Sequence, residues 1–136
     1  MFKARIPILA LALGFAPVAS GHSQPAAPSE LPVVSVALSS FDFDPKTIHL
    51  KAGERVLLRL ANTSSGGHDF GAPSFFAAAT IDPGDAALIH NGKVELGAHQ
   101  TVDIALVPRA GTYSLKCDHP FHATLGMKGE IVVDSD

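Results

Sequence analysis

The stretch from Gly111 to Gly129 reads Gly-Thr-Tyr-Ser-Leu-Lys-Cys117-Asp-His119-Pro-Phe-His122-Ala-Thr-Leu-Gly-Met127-Lys-Gly. It holds the only cysteine of the chain and the only methionine besides Met1, and two histidines fall between these sulfurs. Cys117, His122 and Met127 follow one another at intervals of five residues. A thiolate, an imidazole and a thioether delivered by one loop are donors of a type 1 copper centre, which has a trigonal His₂Cys set and a long, weak axial Met. Copper(I) favours the sulfurs and copper(II) the imidazoles, so one site offering both serves both oxidation states. The second imidazole must come from elsewhere. His68 is the candidate, because Gly66-Gly67 before it lets the backbone come close.

Blander readings of each residue exist. Cys117 alone would pass for a core thiol, since free cysteine packs like a small hydrophobe. Met127 alone would pass for core filler, and His68 for a histidine on a solvated turn. Their concentration around one loop favours the metal. Zinc fits less well, because its sites are built from Cys, His and carboxylates and would leave Met127 without a role. A Cys–His hydrolase would need Cys117 activated by a neighbouring base or a helix N-terminus, whereas Cys117 follows a strand pattern. Multicopper enzymes carry many His-x-His pairs, and this chain has none. An enzyme is not expected.

A ligand set of this kind needs a stiff frame, and the composition permits one. The 136 residues have room for one domain, with 46% hydrophobic and 17% charged residues. Lys3 and Arg5 precede an apolar run from Ile6 to Ala19 broken by Pro7, Gly14 and Pro17. That run is too short for a bilayer span of about 20 residues, and small residues at 18–21 suit signal-peptidase cleavage. Residues 1–21 therefore read as a signal peptide, 22–32 as a flexible Pro/Ser/Ala linker and 33–136 as the folded domain. No cysteine stands at the cleavage site, so a lipid anchor is not expected, and the mature protein should be soluble and periplasmic. Without Lys3 and Arg5, 8 basic residues face 13 acidic ones, a formal charge of −5. That balance disfavours nucleic-acid binding, which wants a basic face. A lone cysteine in an oxidising compartment can make no internal disulfide, and burial or metal ligation removes the hazard of cross-linking.

Along the domain, period-two alternation predicts strands over 33–39, 55–61 and 101–107, with shorter ones over 47–50, 86–89, 93–96, 112–116 and 130–134. Phe41-Asp-Phe43-Asp-Pro45 reads as a bend, Lys51-Ala-Gly53-Glu54 and Asp82-Pro83-Gly84-Asp85 as turns, and Asn91-Gly92 as a hairpin turn. Ser74 could cap a short helix through Ala79. About eight short strands with turn residues between them make an all-β sandwich with one short helix.

The chain resembles the cupredoxin family, the small copper proteins related to plastocyanin, azurin and pseudoazurin. The resemblance rests on the Gly-Thr-Tyr strand leading into Cys117, then His122, Met127, Gly129 and a closing apolar strand. Phe41-x-Phe43-x-Pro45…Gly53 and Asn62…His68 extend it over nearly the whole domain. It implies a Greek-key sandwich with one type 1 copper ion at one end, His68 on the loop after an inner strand, and the other three donors on the loop joining the last two strands. By this resemblance His68, Cys117 and His122 bind equatorially and Met127 axially. His119 is the rival of His122. His122 is preferred because it leaves the His-x₃-Gly-Met arrangement of plastocyanin-like loops, and His119 is then a rim residue. The chain departs from the family where Asp69 replaces the usual asparagine after the upstream histidine, facing a second acid at Asp118. It also departs in a Cys-to-His spacing longer than plastocyanin's.

Two functions share these ligands. One is periplasmic electron transfer by a monomer docking redox partners on a patch of Pro120, Phe121, Ala123, Leu125, Ala72 and Pro73. The other is a copper carrier or scavenger that hands its ion to a copper-accepting protein for delivery or tolerance.

Overall fold

The computed structural model describes residues 30–135. The signal peptide expected over 1–21, and the linker as far as 29, lie outside the described residues. Ten strands form two five-stranded sheets: β1 (Val33–Ser39), β2 (Asp42–Asp44), β3 (Thr47–Lys51), β4 (Val56–Asn62), β5 (His68–Gly71), β6 (Thr80–Ile81), β7 (Lys93–Leu96), β8 (Thr101–Val107), β9 (Gly111–Lys116) and β10 (Lys128–Asp134). One sheet runs β2-β1-β4-β8-β6 and the other β3-β10-β9-β5-β7.

Alternation explains why the long strands lie as they do. In β4, Val56, Leu58 and Leu60 are buried while Arg59 faces water. Val36 and Leu38 of β1 and Val102, Ile104 and Leu106 of β8 complete that inner face. The other sheet contributes Ile48, Leu50, Phe70, Val94, Leu96, Leu115, Ile131 and Val133. Burying the inner faces against each other supplies the main drive for folding, about 25 cal/mol per Å² of apolar surface. Phe43, Phe70, Phe75 and Phe76 join this core through edge-to-face and tilted ring contacts.

Two parallel pairings tie the early strands to later ones: β1 with β4, and β3 with β10. The antiparallel β9–β10 pair carries the sulfur-bearing loop at one end. At the opposite end of β9, Tyr113 donates its hydroxyl to the carbonyl oxygens of Arg109 and Ala110 and fixes the preceding turn.

The sandwich with one short helix is as expected; the two-residue strand β6 between helix and turn is not, and other elements also differ. The Phe41–Pro45 bend contains the edge strand β2, because Ala37, Leu38 and Ser39 pair with Asp44, Phe43 and Asp42. Residues 86–88 form a single 3₁₀ turn rather than a strand, and they bury no side chain. The helix α1 (Pro73–Ala78) starts two residues earlier than a Ser74 cap implies and ends one residue earlier, with Ala72 at its N-cap, Pro73 in the first turn and no side-chain cap. His68 opens strand β5 instead of lying on a loop. The Asn91-Gly92 turn forms as read: both residues have positive φ and His90 and Lys93 exchange backbone hydrogen bonds around it. A side chain at Gly92 would collide with Pro73, so this hairpin packs tightly on the start of α1.

Candidate metal centre

His68 opens β5, Cys117 directly follows the neighbouring strand β9 of the same sheet, and His122 lies on the loop beyond. β5 meets β9 at Gly71 and Lys116, directly before Cys117. That close approach requires glycine, since a Cβ at residue 71 would sit 2.7 Å from the Lys116 carbonyl oxygen. His68 and Cys117 are both fully buried.

The loop from 118 to 127 is a series of turns held by its own backbone. His122 donates to the His119 carbonyl, Leu125 to Phe121, and Gly126 to Ala123. Met127 N–H donates to the His122 carbonyl at 2.9 Å, and Cys117 N–H donates to the Met127 carbonyl at 3.2 Å, which closes the loop on itself. Gly126 has φ +107°, a region that side chains disfavour. Met127 is fully buried within the core cluster that also contains Cys117.

These constraints bring three donors together. The Nδ1 atoms of His68 and His122 lie 3.2 Å apart, and His122 Nδ1 lies 3.4 Å from Cys117 Sγ. All three ligand atoms fall within 4.8 Å of one another. A point equidistant from such a trio lies roughly 2 Å from each atom, a metal–ligand bond length. Soft sulfur beside two imidazoles, with a buried thioether in the same loop, is the donor chemistry of a type 1 copper site, and one copper ion is the cofactor that fits it.

The supporting contacts were not assignable from sequence. His68 Nε2 lies 3.2 Å from Ser40 Oγ, which fixes the ring while Nδ1 faces the site. Ser40 has no sequence signal, since it is one of many serines near a strand end. Asn62 is buried and staples the loop before His68. Its amide donates to the Gly66, Leu96 and Gly97 carbonyls, and its Oδ1 accepts from Ser64 N–H and Oγ. An asparagine opening an Asn-Thr-Ser-Ser-Gly-Gly run is a legible turn signal. His90 forms a single bridge with Lys93, while His49 and His99 are exposed.

His119 lies on the rim. Its Nε2 is 3.0 Å from Glu95 Oε2, and its ring stacks on that of His122 with centroids 5.3 Å apart. Its ligand atoms also come within 4.8 Å of Cys117 Sγ and an Asp69 oxygen. Phe121 and Leu125 are strongly exposed beside it. Ala72, expected on the same apolar patch, is instead completely buried, because it opens α1 against the core.

Asp69 and Asp118 do not face each other as bare charges. Asp69 Oδ1 accepts the Asp118 N–H at 2.9 Å, and the Asp69 N–H points at Cys117 Sγ at 3.4 Å. The carboxylate thus makes the inter-loop bond that an asparagine oxygen would make. Burial raises the Asp69 carboxyl above its ordinary range. Burial pushes Asp118 the same way, but the ammonium groups of Lys116 and Lys93 outweigh it and hold that carboxyl below its usual value. Burial also raises the Cys117 thiol, partly offset by the N–H groups of Asp69 and His119. His68 is lowered by burial first and by the neighbouring His122 and His119 second. A site that disfavours both the imidazolium and the bare thiolate is one that a cation stabilises.

A family model described as a cupredoxin-like domain matches residues 8–133. Rusticyanin of Acidithiobacillus ferrooxidans is 35% identical over 92 residues, covering 64% of this chain and 49% of that protein. Rusticyanin of Acidithiobacillus ferridurans is 34% identical over the same length. The chain thus spans about half the length of the curated relatives it matches. Among solved structures, the fold resembles auracyanin from Roseiflexus castenholzii, with a TM-score of 0.56, 18% identity, and coverage of 79% of this chain and 99% of that one. It also resembles auracyanin A, a "blue" copper protein from Chloroflexus aurantiacus, with a TM-score of 0.53, 21% identity, and coverage of 75% and 98%. With two packed sheets, a donor cluster at the end of the β9–β10 pair and a family match over most of its length, this chain belongs to the cupredoxin-like family.

Proposed function

We propose that this protein is a type 1 copper protein that carries single electrons between redox partner proteins, with His68, Cys117, His122 and Met127 holding the ion. The observation that carries the reading is the convergence of Cys117 Sγ and the two histidine Nδ1 atoms within 4.8 Å, in a pocket closed by backbone hydrogen bonds. The ion supplies the one-electron couple when bound.

The chain's own residues set the conditions for it. Ser40 orients His68, and the Asp69 N–H partly satisfies the sulfur. Sheet pairing on one side and the closed loop on the other resist movement of the donors, so little rearrangement opposes a change of charge. Met127 would hold the ion through its thioether as a weak fourth donor, and burial shields that side chain from water. His122 is half-buried beside exposed Phe121 and Leu125, which gives the electron a route outward through an apolar surface suited to brief docking. His119, engaged with Glu95, stays a rim residue.

The N-terminal pattern of Lys3, Arg5 and the apolar run supports export, with residues 33–136 working as a soluble periplasmic monomer. Mass spectrometry of the protein from a periplasmic extract tests this, since an uncleaved N-terminus would refute it. Copper delivery uses the same ligands. The buried, backbone-locked donors favour electron transfer over ready release of the ion.

The decisive experiment adds Cu(II) to the purified protein and to Cys117→Ser. An intense visible thiolate-to-copper band in the first and none in the second is expected. A colourless wild-type protein would refute the reading, and preferential Cu(I) binding with quick release to an acceptor would turn it toward delivery.

A further inference from the structure

Asp69 is the one buried acid among the described residues. Its Oδ1 accepts the Asp118 N–H, but its Oδ2 is buried without a hydrogen-bond partner. A carboxylate held in this way needs a compensating charge. Lys93 supplies it: its Nζ lies 4.0 Å from Asp69 Oδ2 and 3.4 Å from Asp118 Oδ2. Lys93 stands on β7, paired across from Gly71 two residues beyond Asp69, and its side chain is 30% exposed. One ammonium therefore spans the strand that carries His68 and the loop that begins at Cys117. The second lysine of the cluster, Lys116, contacts Asp118 at 3.2 Å and forms no ion pair with Asp69.

We propose that Lys93 is a positioning residue of the metal centre: its ammonium balances the Asp69 carboxylate and so holds in place the clamp by which β5 grips the Cys117 loop. The clamp has two bonds, Asp118 N–H to the Asp69 side chain and Asp69 N–H to the sulfur. Both depend on the Asp69 side chain and backbone staying where they are. Lys93 touches neither the sulfur nor an imidazole, and it acts through Asp69. The effect on the copper couple rests on the function proposed above, whereas the effect on the clamp does not.

The test is a double-mutant cycle on the copper-free full chain, followed by denaturant unfolding. Lys93→Met, which keeps the aliphatic stem, should lower the folding equilibrium constant roughly tenfold, less than for a fully buried pair because the ammonium is partly solvated. Lys93→Arg should restore most of the loss. In an Asp69→Asn background the same Lys93→Met change should cost under about twofold, since the buried partner charge is gone and only the solvated pair with Asp118 is left to lose. In the copper-loaded protein, Lys93→Met should shift the reduction potential downward and Lys93→Arg should leave it in place. An equal stability loss in both backgrounds, or an unchanged potential in Lys93→Met, would overturn the proposal. Failure of the wild-type protein to bind copper would sink the function but leave the stability cycle readable.

Discussion

Asp69→Asn changes one charge beside the metal centre and little else. The Asn oxygen can still accept the Asp118 N–H that Asp69 Oδ1 now accepts at 2.9 Å, and the backbone N–H toward Cys117 Sγ is untouched. The replaced atom, Oδ2, has no hydrogen-bond partner to lose. An Asp69 oxygen lies within 4.8 Å of the sulfur. A unit charge about 5 Å away in a medium of effective dielectric constant near 20 is worth about 3 kcal/mol. For a one-electron couple that corresponds to about 140 mV, since 59 mV is a factor of ten. The Lys93 ammonium 4.0 Å from Asp69 opposes this field, which leaves an expected shift of roughly 50–100 mV. The sign is upward, because a nearby anion stabilises the more positive, oxidised ion. Burial raises the Asp69 carboxyl, so the measurement belongs at alkaline pH, the side that favours its ionised form. Redox titration of the two proteins side by side, followed by their visible band, gives the result. An unchanged or lower potential in Asp69→Asn would refute the electrostatic account. Since desolvation disfavours the charged form in the fold, the copper-free variant should also be no less stable than wild type at that pH.

Further perturbations probe the frame. Asn62→Ala leaves the Gly66, Leu96 and Gly97 carbonyls without their side-chain donor and should cost about 1–3 kcal/mol in denaturant unfolding, with a shifted visible band as the His68 loop relaxes. Wild-type stability in that variant would show the staple to be idle. Gly71→Ala forces a methyl group against the Lys116 carbonyl and should cost about 1–3 kcal/mol while weakening copper affinity. Unaltered unfolding and affinity would mean that the β5–β9 approach is not tight. At the far sheet, Arg59 donates twice to Asp103 and holds that carboxyl below its ordinary range. The folded-state pKa is depressed, so this contribution is present above about pH 4 and is lost as pH falls through the lowered value. Asp103→Asn should therefore lower stability at pH 7 by the same small amount that it removes from the acid limb of the profile, small because the pair is half-exposed. An acid limb as steep as wild type's would assign that limb to other carboxylates.

Local signals in the chain were sufficient for the frame and for most of the donor loop. Alternation in β4 and β8 marks inward faces, Asn91-Gly92 marks a hairpin, and the spacing of Cys117, His122 and Met127 marks one loop carrying a soft donor set. β5 was hidden, since its four residues are all buried and leave no alternation to read. β2 was hidden because only three residues pair, at an edge where a proline suggests a bend. Residues 86–88 carry apolar side chains but bury none of them, so hydrophobicity misled there.

The sequence by itself determined which atoms could bind a metal, because donor chemistry is a property of residue type and loop spacing. Only the tertiary structure decided how they meet. His68 reaches His122 across 54 residues, Ser40 steadies its ring from the β1–β2 turn, and Asp69 joins a loop 49 residues away while drawing on Lys93. Such contacts depend on which strands lie side by side, and that order is set by burying two sheets against each other, a non-local sum that no short pattern carries.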